Sequence, residues 1–133
     1  MNELIPMVCG YLTAALWSSA DEDGEPLDAV FGIDDFAPEA IQQACDECRA
    51  FADANERDRD SYIVRTLDGA MSSTSTAAAA EAFGHDLWLT RNGHGAEFWD
   101  RGLGALGYRL TMAANAEGSR DCYVGDDGQI HFL

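Results

Sequence analysis

The sequence predicts an α+β domain in which helices pack on a small antiparallel sheet built from two β-hairpins. Apolar residues recur at helical spacing in residues 3–18, 38–55 and 102–117. Asn92-Gly93 separates two apolar runs, and an Asn-Gly pair favours the two-residue type I′ turn of a hairpin. The segment 125–128, Gly-Asp-Asp-Gly, separates two further short apolar runs and predicts a second hairpin.

The first half of the chain is predicted to be mainly helical. Residues 3–18 and 38–55 each carry a complete apolar stripe, and Pro38 suits the first turn of the second helix. Residues 20–36 form an acidic connection that its apolar side chains should pin to the surface. Residues 61–67 are ambiguous between strand and helix, and the spacing of their apolar side chains favours a helix.

The second half contains both predicted hairpins. Residues 69–75 predict a loop, followed by a short alanine-rich helix that ends at Gly84. The first hairpin, residues 84–102, then pairs His85 with Asp100 across its two strands. Residues 102–117 predict a helix despite two internal glycines, which we expect to mark close packing on a neighbour.

Length and composition predict a single domain, residues 1–133, with an ordinary apolar core. Hydrophobic residues make up 47% of the chain, and no apolar run is long enough to span a bilayer. The start of the chain lacks the basic region of a signal peptide. Four cysteines in this context indicate free thiols in a reducing cytoplasm.

Charge is the most unusual compositional feature. The chain has 24 acidic and 8 basic residues, a net charge of −16, and every basic residue is an arginine. Residues 21–60 hold 14 acids and 3 arginines, a net charge of −11. Such a field repels nucleic acid and attracts basic protein surfaces. Solubility, a GC-rich genome or a high-salt host would also account for it.

The acidic connection supplies the candidate partner-binding face. Its members are Asp21, Glu22, Asp23, Glu25, Asp28, Asp34 and Asp35. Carboxylates spaced along a surface imitate the charge repeat of a duplex backbone, about one negative charge per 1.7 Å of axis. A solvated acidic surface is the simpler interpretation. The functional one is a protein that occupies the basic groove of a nuclease, a restriction complex or a repressor.

Motifs for catalysis, metals and cofactors are weak. Cys45-x-x-Cys48 lies on the apolar stripe of a predicted helix, which favours buried structural thiols over a zinc or redox site. No phosphate-binding, dinucleotide-binding or hydrolase motif occurs, so no enzyme activity, cofactor or metal is predicted. A hairpin-centred ligand or catalytic site is the alternative, with these candidate residues: Arg91, Asn92, His94, Asp100 and Arg101.

The segment GHDLWLTRNGHGAEFWDRG, with YLTAALWSS before it and DCYVGDDGQI after it, resembles a family of short bacteriophage and prophage proteins. The usual form in that family is similar to GHDFWLTRNGHGAGFWDRG, from which this chain departs at Leu87 and Glu97. The resemblance implies a phage origin and a bacterial cytoplasm. It implies no activity, cofactor or catalytic residue.

These observations lead to a functional hypothesis of a phage-derived inhibitor that binds a basic, nucleic-acid-handling host protein. Antagonism of host defence, such as anti-restriction or anti-CRISPR inhibition by nucleic-acid mimicry, is the form expected by analogy with small acidic phage proteins. Direct binding to nucleic acid or to a membrane is not expected. The alternatives are a phage assembly or regulatory protein that acts as a homo-oligomer, a homodimer included, and the hairpin-centred site.

Overall fold

The computed structural model describes residues 3–67, 75–94 and 98–133. Within these residues the chain forms five α-helices and one two-stranded antiparallel sheet. The helices are α1 (Leu4–Ser18), α2 (Pro38–Ala54), α3 (Glu56–Arg65), α4 (Thr76–Arg91) and α5 (Ala105–Ala116). The strands are β1 (Cys122–Val124) and β2 (Ile130–Phe132). The predicted α+β class, with helices on a small antiparallel sheet, is confirmed.

The predicted helices α1, α2 and α5 are confirmed to within a few residues. Residues 61–67 also continue as helix, but α3 already begins at Glu56. Asn55 separates α2 from α3, because its φ and ψ of −122° and 33° break the helix. Its side chain donates to the carbonyl oxygen of Phe51. The predicted loop at residues 69–75 lies outside the described residues, apart from Ser75.

The predicted hairpin at residues 84–102 is wrong. Residues 76–91 form one continuous helix, α4, whose N-cap Ser75 accepts a hydrogen bond from the amide of Ala78. At its other end the amide of Gly93 donates to Thr90 and the amide of His94 donates to Leu89. This is a Schellman motif, which needs a residue with positive φ, and Gly93 has φ of 67°. Asn-Gly therefore ends a helix here.

Helix α4 lies in the middle of the helical layer, against α1, α3 and α5. Leu87, Trp88 and Leu89 are consecutive and all buried, which explains why both faces of the predicted ribbon were apolar. A Cβ atom added at Gly84 would overlap the carbonyl oxygen of Met7, and one at Gly10 would overlap that of Glu81. Gly84 is thus a crossing point inside α4 and not its end.

Aromatic side chains join the hairpin β1–β2 to the helices. Tyr11 of α1 and Trp88 of α4 meet edge to face at 5.2 Å, and Phe132 of β2 lies 5.7 Å from Trp88. Phe36, just before α2, packs on the same Phe132 ring at 5.7 Å. A second aromatic group fills the space among α2, α3 and α4, with these members: Phe51, Tyr62, Phe83 and Phe98.

The second predicted hairpin is confirmed. Cys122 pairs with Phe132, Tyr123 with His131 and Val124 with Ile130. The turn has positive φ at Gly128, as the Gly-Asp-Asp-Gly segment predicts. No helix of the described residues is long and apolar enough to cross a membrane.

Candidate functional site

The first part of the predicted acidic face is a tight turn at residues 20–26. Ala20 and Pro26 form an isolated antiparallel bridge that closes the turn. Inside it the half-buried Asp21 carboxylate accepts the amides of Asp23 and Glu25, at 2.9 and 3.0 Å. Glu22, Asp23 and Glu25 remain exposed. Asp21 therefore shapes the turn, and the other three carboxylates are displayed on it.

The second part runs from Leu27 to Phe36, two buried residues that anchor it to the core. Between them lie two short 3-10 turns, Leu27–Ala29 and Ile33–Asp35. Asp28 and Asp34 are exposed on these turns. Asp35 is half-buried and accepts the amide of Gly32 at 2.7 Å, so it stabilises its own turn. The acidic connection is pinned to the surface, as its apolar residues predicted.

The hairpin β1–β2 lies beside this connection and extends its acidic surface. Phe36 bridges Ile130, and the amide of Ala37 donates to the Ile130 carbonyl at 2.9 Å. The Ser19 hydroxyl reaches the Cys122 sulfur at 3.7 Å. Asp121, Asp126 and Asp127, all exposed, belong to the same region. We call residues 20–36 and 121–132 together the acidic lobe.

The acidic lobe contains ten carboxylates and no arginine. In the part of the chain that the structure describes, every arginine that forms an ion pair does so with a carboxylate outside the lobe. The lobe's one histidine, His131, has its Nε2 atom 3.0 Å from a carboxylate oxygen of Asp127. The ion pairs of the described arginines therefore lie outside the candidate partner-binding face, and the guanidinium of Arg120, just before the lobe in sequence, lies 5.1 Å from the centre of the Phe132 ring at its edge.

A groove of about 600 Å³ separates the turn at residues 20–26 from the hairpin. Acidic side chains line it from both sides: Asp21, Glu22, Asp23 and Asp126. Its apolar lining comes from Phe31, Tyr123 and Val124. We call it the hairpin groove. Cys122 also lines it, and burial raises the pKa of that thiol to about 11, which disfavours a reactive thiolate.

The tyrosine of the hairpin groove is held in place by its cross-strand neighbour. Tyr123 and His131 stack with ring centroids 5.5 Å apart and an interplanar angle of 23°. Asp127 fixes the histidine in turn, through its contact with Nε2. The amide of Gln129 and the neighbouring His131 lower the pKa of Asp127 below its ordinary value, because both favour the ionised carboxylate.

The structure does not assemble the alternative hairpin-centred site. Arg91 is buried, where its guanidinium bonds Glu47 at 2.7 Å and the Tyr11 hydroxyl at 2.9 Å. Arg101 instead bonds Asp86 at 2.6 Å. The two arginines therefore bond two different carboxylates, the half-buried Glu47 and the buried Asp86, and do not form one shared centre.

The remaining residues of that alternative have structural or exposed positions. Asn92 accepts the amide of Arg120 at 2.8 Å and donates to the Trp88 carbonyl at 2.9 Å. His94 and Asp100 are exposed. The predicted pairing of His85 with Asp100 is wrong, because His85 lies in α4, with its ring 6.3 Å from that of Trp17. Burial lowers the pKa of His85.

The buried polar clusters contain residues that sequence reasoning missed. Glu47 of α2 accepts from both Arg91 and Arg120, and Asp86 of α4 accepts from Arg101 and Tyr62. Burial raises the pKa of Asp86, and its two donors oppose that shift. Asp86 lies three residues after Phe83 and four before Thr90, both buried, so helical spacing assigns it to an inward face. The hairpin interpretation concealed this signal.

The cysteines have the form that the sequence-based interpretation predicts, free thiols with a buried member in α2. All four cysteines are free, and Cys48 of the Cys45-x-x-Cys48 pair is fully buried. Burial raises its pKa, which keeps the thiol protonated. Among the described residues, no three histidine, cysteine or acidic side chains lie where they could hold a metal ion.

Comparison with known proteins finds no matching family model, no matching curated protein and no matching solved structure. The candidate function therefore rests on the charge and geometry of the acidic lobe.

Proposed function

We propose that this chain is a binding protein whose acidic lobe docks on the basic surface of a partner that normally holds nucleic acid. The observation that carries the proposal is the charge segregation within the lobe, ten carboxylates without an arginine. Compositional acidity alone predicts no particular arrangement of the eight arginines. Here the ion pairs of Arg91, Arg101, Arg109 and Arg120 all join carboxylates of the helices, outside the lobe.

The mechanism is electrostatic attraction followed by competition with nucleic acid. A concentrated negative field accelerates encounter with a basic groove and makes association sensitive to salt. The exposed carboxylates then occupy the sites of phosphate groups. Their display on short turns anchored by Leu27 and Phe36 reduces the entropy lost on binding.

The resemblance to phage proteins gives this proposal its biological setting. A phage-derived chain in a bacterial cytoplasm would meet restriction complexes, CRISPR effectors and repressors, all of which carry basic grooves. We infer that the partner is a host protein of this kind and that the chain inhibits it. The alternative, that the chain is a homo-oligomeric assembly protein, stays a prediction. The expectation that it has no catalytic activity also stays a prediction.

The test is a charge reversal within the lobe. Glu22→Lys, Asp23→Lys and Glu25→Lys are combined, while Asp21 is retained because its carboxylate shapes the turn. The matched control reverses three exposed acids of α2 by Glu39→Lys, Asp46→Lys and Asp53→Lys, so that both variants have the same net charge. Circular dichroism and urea unfolding verify that both fold.

The readout is capture of nucleic-acid-binding proteins from bacterial lysate at low and high salt, followed by competition with duplex DNA. We expect the wild type and the α2 control to retain the same proteins at low salt and to release them to DNA or high salt. The lobe variant should retain none of them. Capture that survives the lobe reversal, or that is lost equally in the α2 control, would overturn the proposal.

A further inference from the structure

The hairpin groove combines two chemical features that the charge alone does not require. Glu22 and Asp23 line it from the turn at residues 20–26, and Asp126 lines it from the hairpin. Between them the groove offers an aromatic ring, Tyr123, which is 43% exposed although it is large and apolar. A surface that served solubility alone would need no such ring between its acids.

The orientation of the Tyr123 ring is also fixed by its neighbours. Its ring stacks on His131, and the histidine is fixed by Asp127. A second recess, of about 570 Å³, lies along the same hairpin and is lined by Tyr123 together with Glu22, Asp126 and Asp127. The ring thus lies among acidic residues. Because its orientation is fixed in the free protein, little conformational entropy is lost when a ligand binds.

We infer that the hairpin groove takes an arginine side chain from an extended basic segment of the partner. The inference rests on the proposed function and specifies which basic residue is recognised. A guanidinium is planar, so it stacks on an aromatic face while its donors bind carboxylates in pairs. A lysine ammonium lacks the planar fork and is more strongly hydrated. The complementary charge of the groove commits it to a cationic occupant.

The experiment uses two fluorescent peptides of nine residues, one of arginine and one of lysine, titrated into the full chain by fluorescence anisotropy. Both carry the same charge, so the acidic lobe as a whole attracts them equally. We expect the arginine peptide to bind more tightly than the lysine peptide. The Kd of both should rise with salt.

The decisive variant is Tyr123→Thr, which removes the ring, places another residue favoured in strands in β1 and leaves the charge unchanged. It should weaken arginine-peptide binding about three- to fivefold, as expected for loss of one exposed cation–π contact, and leave lysine-peptide binding nearly unaltered. Tyr123→Phe should keep the preference. Tyr108→Thr, on an exposed tyrosine of α5, is the matched control and should change neither affinity.

A second pair of variants tests the carboxylates at equal net charge. Asp126→Asn, at the groove, should weaken binding of the arginine peptide more than Asp53→Asn, on the exposed face of α2, does. Equal affinities for the two peptides, with no effect of Tyr123→Thr, would overturn the inference about the groove while leaving the acidic lobe as the binding face.

Two other outcomes have distinct meanings. If neither peptide binds, or if the triple lysine variant of the acidic turn binds them as the wild type does, the proposed function fails and the groove inference fails with it. If sedimentation shows a wild-type dimer that Tyr123→Thr dissociates, the groove holds a second copy of the chain, and the arginine inference is wrong.

Discussion

Asp86 carries a fully buried carboxylate in the middle of α4. The Arg101 guanidinium bonds it through two nitrogens, at 2.6 and 3.1 Å, and the Tyr62 hydroxyl donates at 2.9 Å. These contacts tie α3 and the 3-10 turn Phe98–Arg101 to α4. A buried charge of this kind is tolerated only while its partners remain, since an unpaired carboxylate has lost its hydration.

The first prediction concerns the arginine partner of that carboxylate. Arg101→Met should lower the free energy of unfolding by about 3 kcal/mol, because it leaves Asp86 buried without its counter-charge. Urea denaturation measures the change. Arg109→Met is the matched control, since Arg109 also bonds an aspartate, Asp58, but does so at the surface, and it should change stability little. Equal losses in the two variants would contradict the importance of the buried pair.

The second prediction is the pH dependence of the Arg101→Met variant. Burial raises the pKa of Asp86 in the folded chain above its unfolded value, and removal of the guanidinium raises it further. At pH values between the unfolded and the folded pKa of Asp86, the folded state binds more protons than the unfolded state. The free energy of unfolding therefore falls as the pH rises through this range. The loss caused by Arg101→Met should therefore be largest at neutral pH and shrink as pH is lowered. A loss independent of pH would contradict an ionised Asp86.

At the scale of elements, the crossing of α1 and α4 organises the helical layer. Gly10 and Gly84 let the two backbones touch, since a Cβ at either position would overlap a carbonyl oxygen of the other helix. Near the end of the same interface the Trp88 indole donates to the Ser18 hydroxyl at 2.8 Å. The two glycines lower intrinsic helix stability, but the close approach lets Tyr11 and Trp88 pack edge to face.

The third prediction follows from this crossing. Gly10→Ala and Gly84→Ala should each destabilise the fold by about 2–3 kcal/mol, although alanine is the better helix former, because the two backbones must separate. Gly32→Ala is the control: Gly32 has extended backbone and open space around it, so its variant should be nearly neutral. Thermal unfolding of the three variants gives the comparison. Neutral or stabilising alanines at positions 10 and 84 would refute the close crossing.

The element scale also shows why one hairpin was predicted correctly and the other was not. Asn92-Gly93 and the 125–128 turn both supply glycine with positive φ, which hairpin turns and helix C-termini share. Gly118, with positive φ, ends α5 before β1, so the short apolar runs on either side of the 125–128 turn do not continue a helix. Residues 84–91 instead continue an alanine-rich helix that Ser75 has already nucleated.

At the scale of the whole molecule, the net charge of −16 should oppose folding as well as attract partners. Folding brings the carboxylates of the acidic lobe together without counter-charges from arginine. Salt screens such repulsion between exposed charges, and the Debye length falls from about 30 Å at 0.01 M to about 10 Å at 0.1 M. The fold should therefore be more stable at moderate salt.

The fourth prediction concerns the salt dependence of stability. The free energy of unfolding should rise by on the order of 1 kcal/mol between about 0.01 M and 0.2 M NaCl. Combining Glu22→Gln, Asp23→Asn and Glu25→Gln should raise stability at low salt and flatten the salt dependence. The same substitutions on α2, Glu39→Gln, Asp46→Asn and Asp53→Asn, serve as the control. A salt response identical in the two triple variants would mean that repulsion is spread evenly over the surface.

The sequence by itself determined the α+β class, the stripes of α1 and α2, the final hairpin and the seven acids of residues 21–35. These are local properties, because periodicity, turn glycines and charge are set by neighbours along the chain. Only the tertiary structure decided which arginines pair with Asp86 and Glu47, and that Tyr123 lies among acidic side chains. These contacts depend on what distant segments place beside a residue, which local pattern does not specify. The helical spacing of residues 83–90, in contrast, is a local signal that the Asn-Gly turn outweighed in the sequence interpretation.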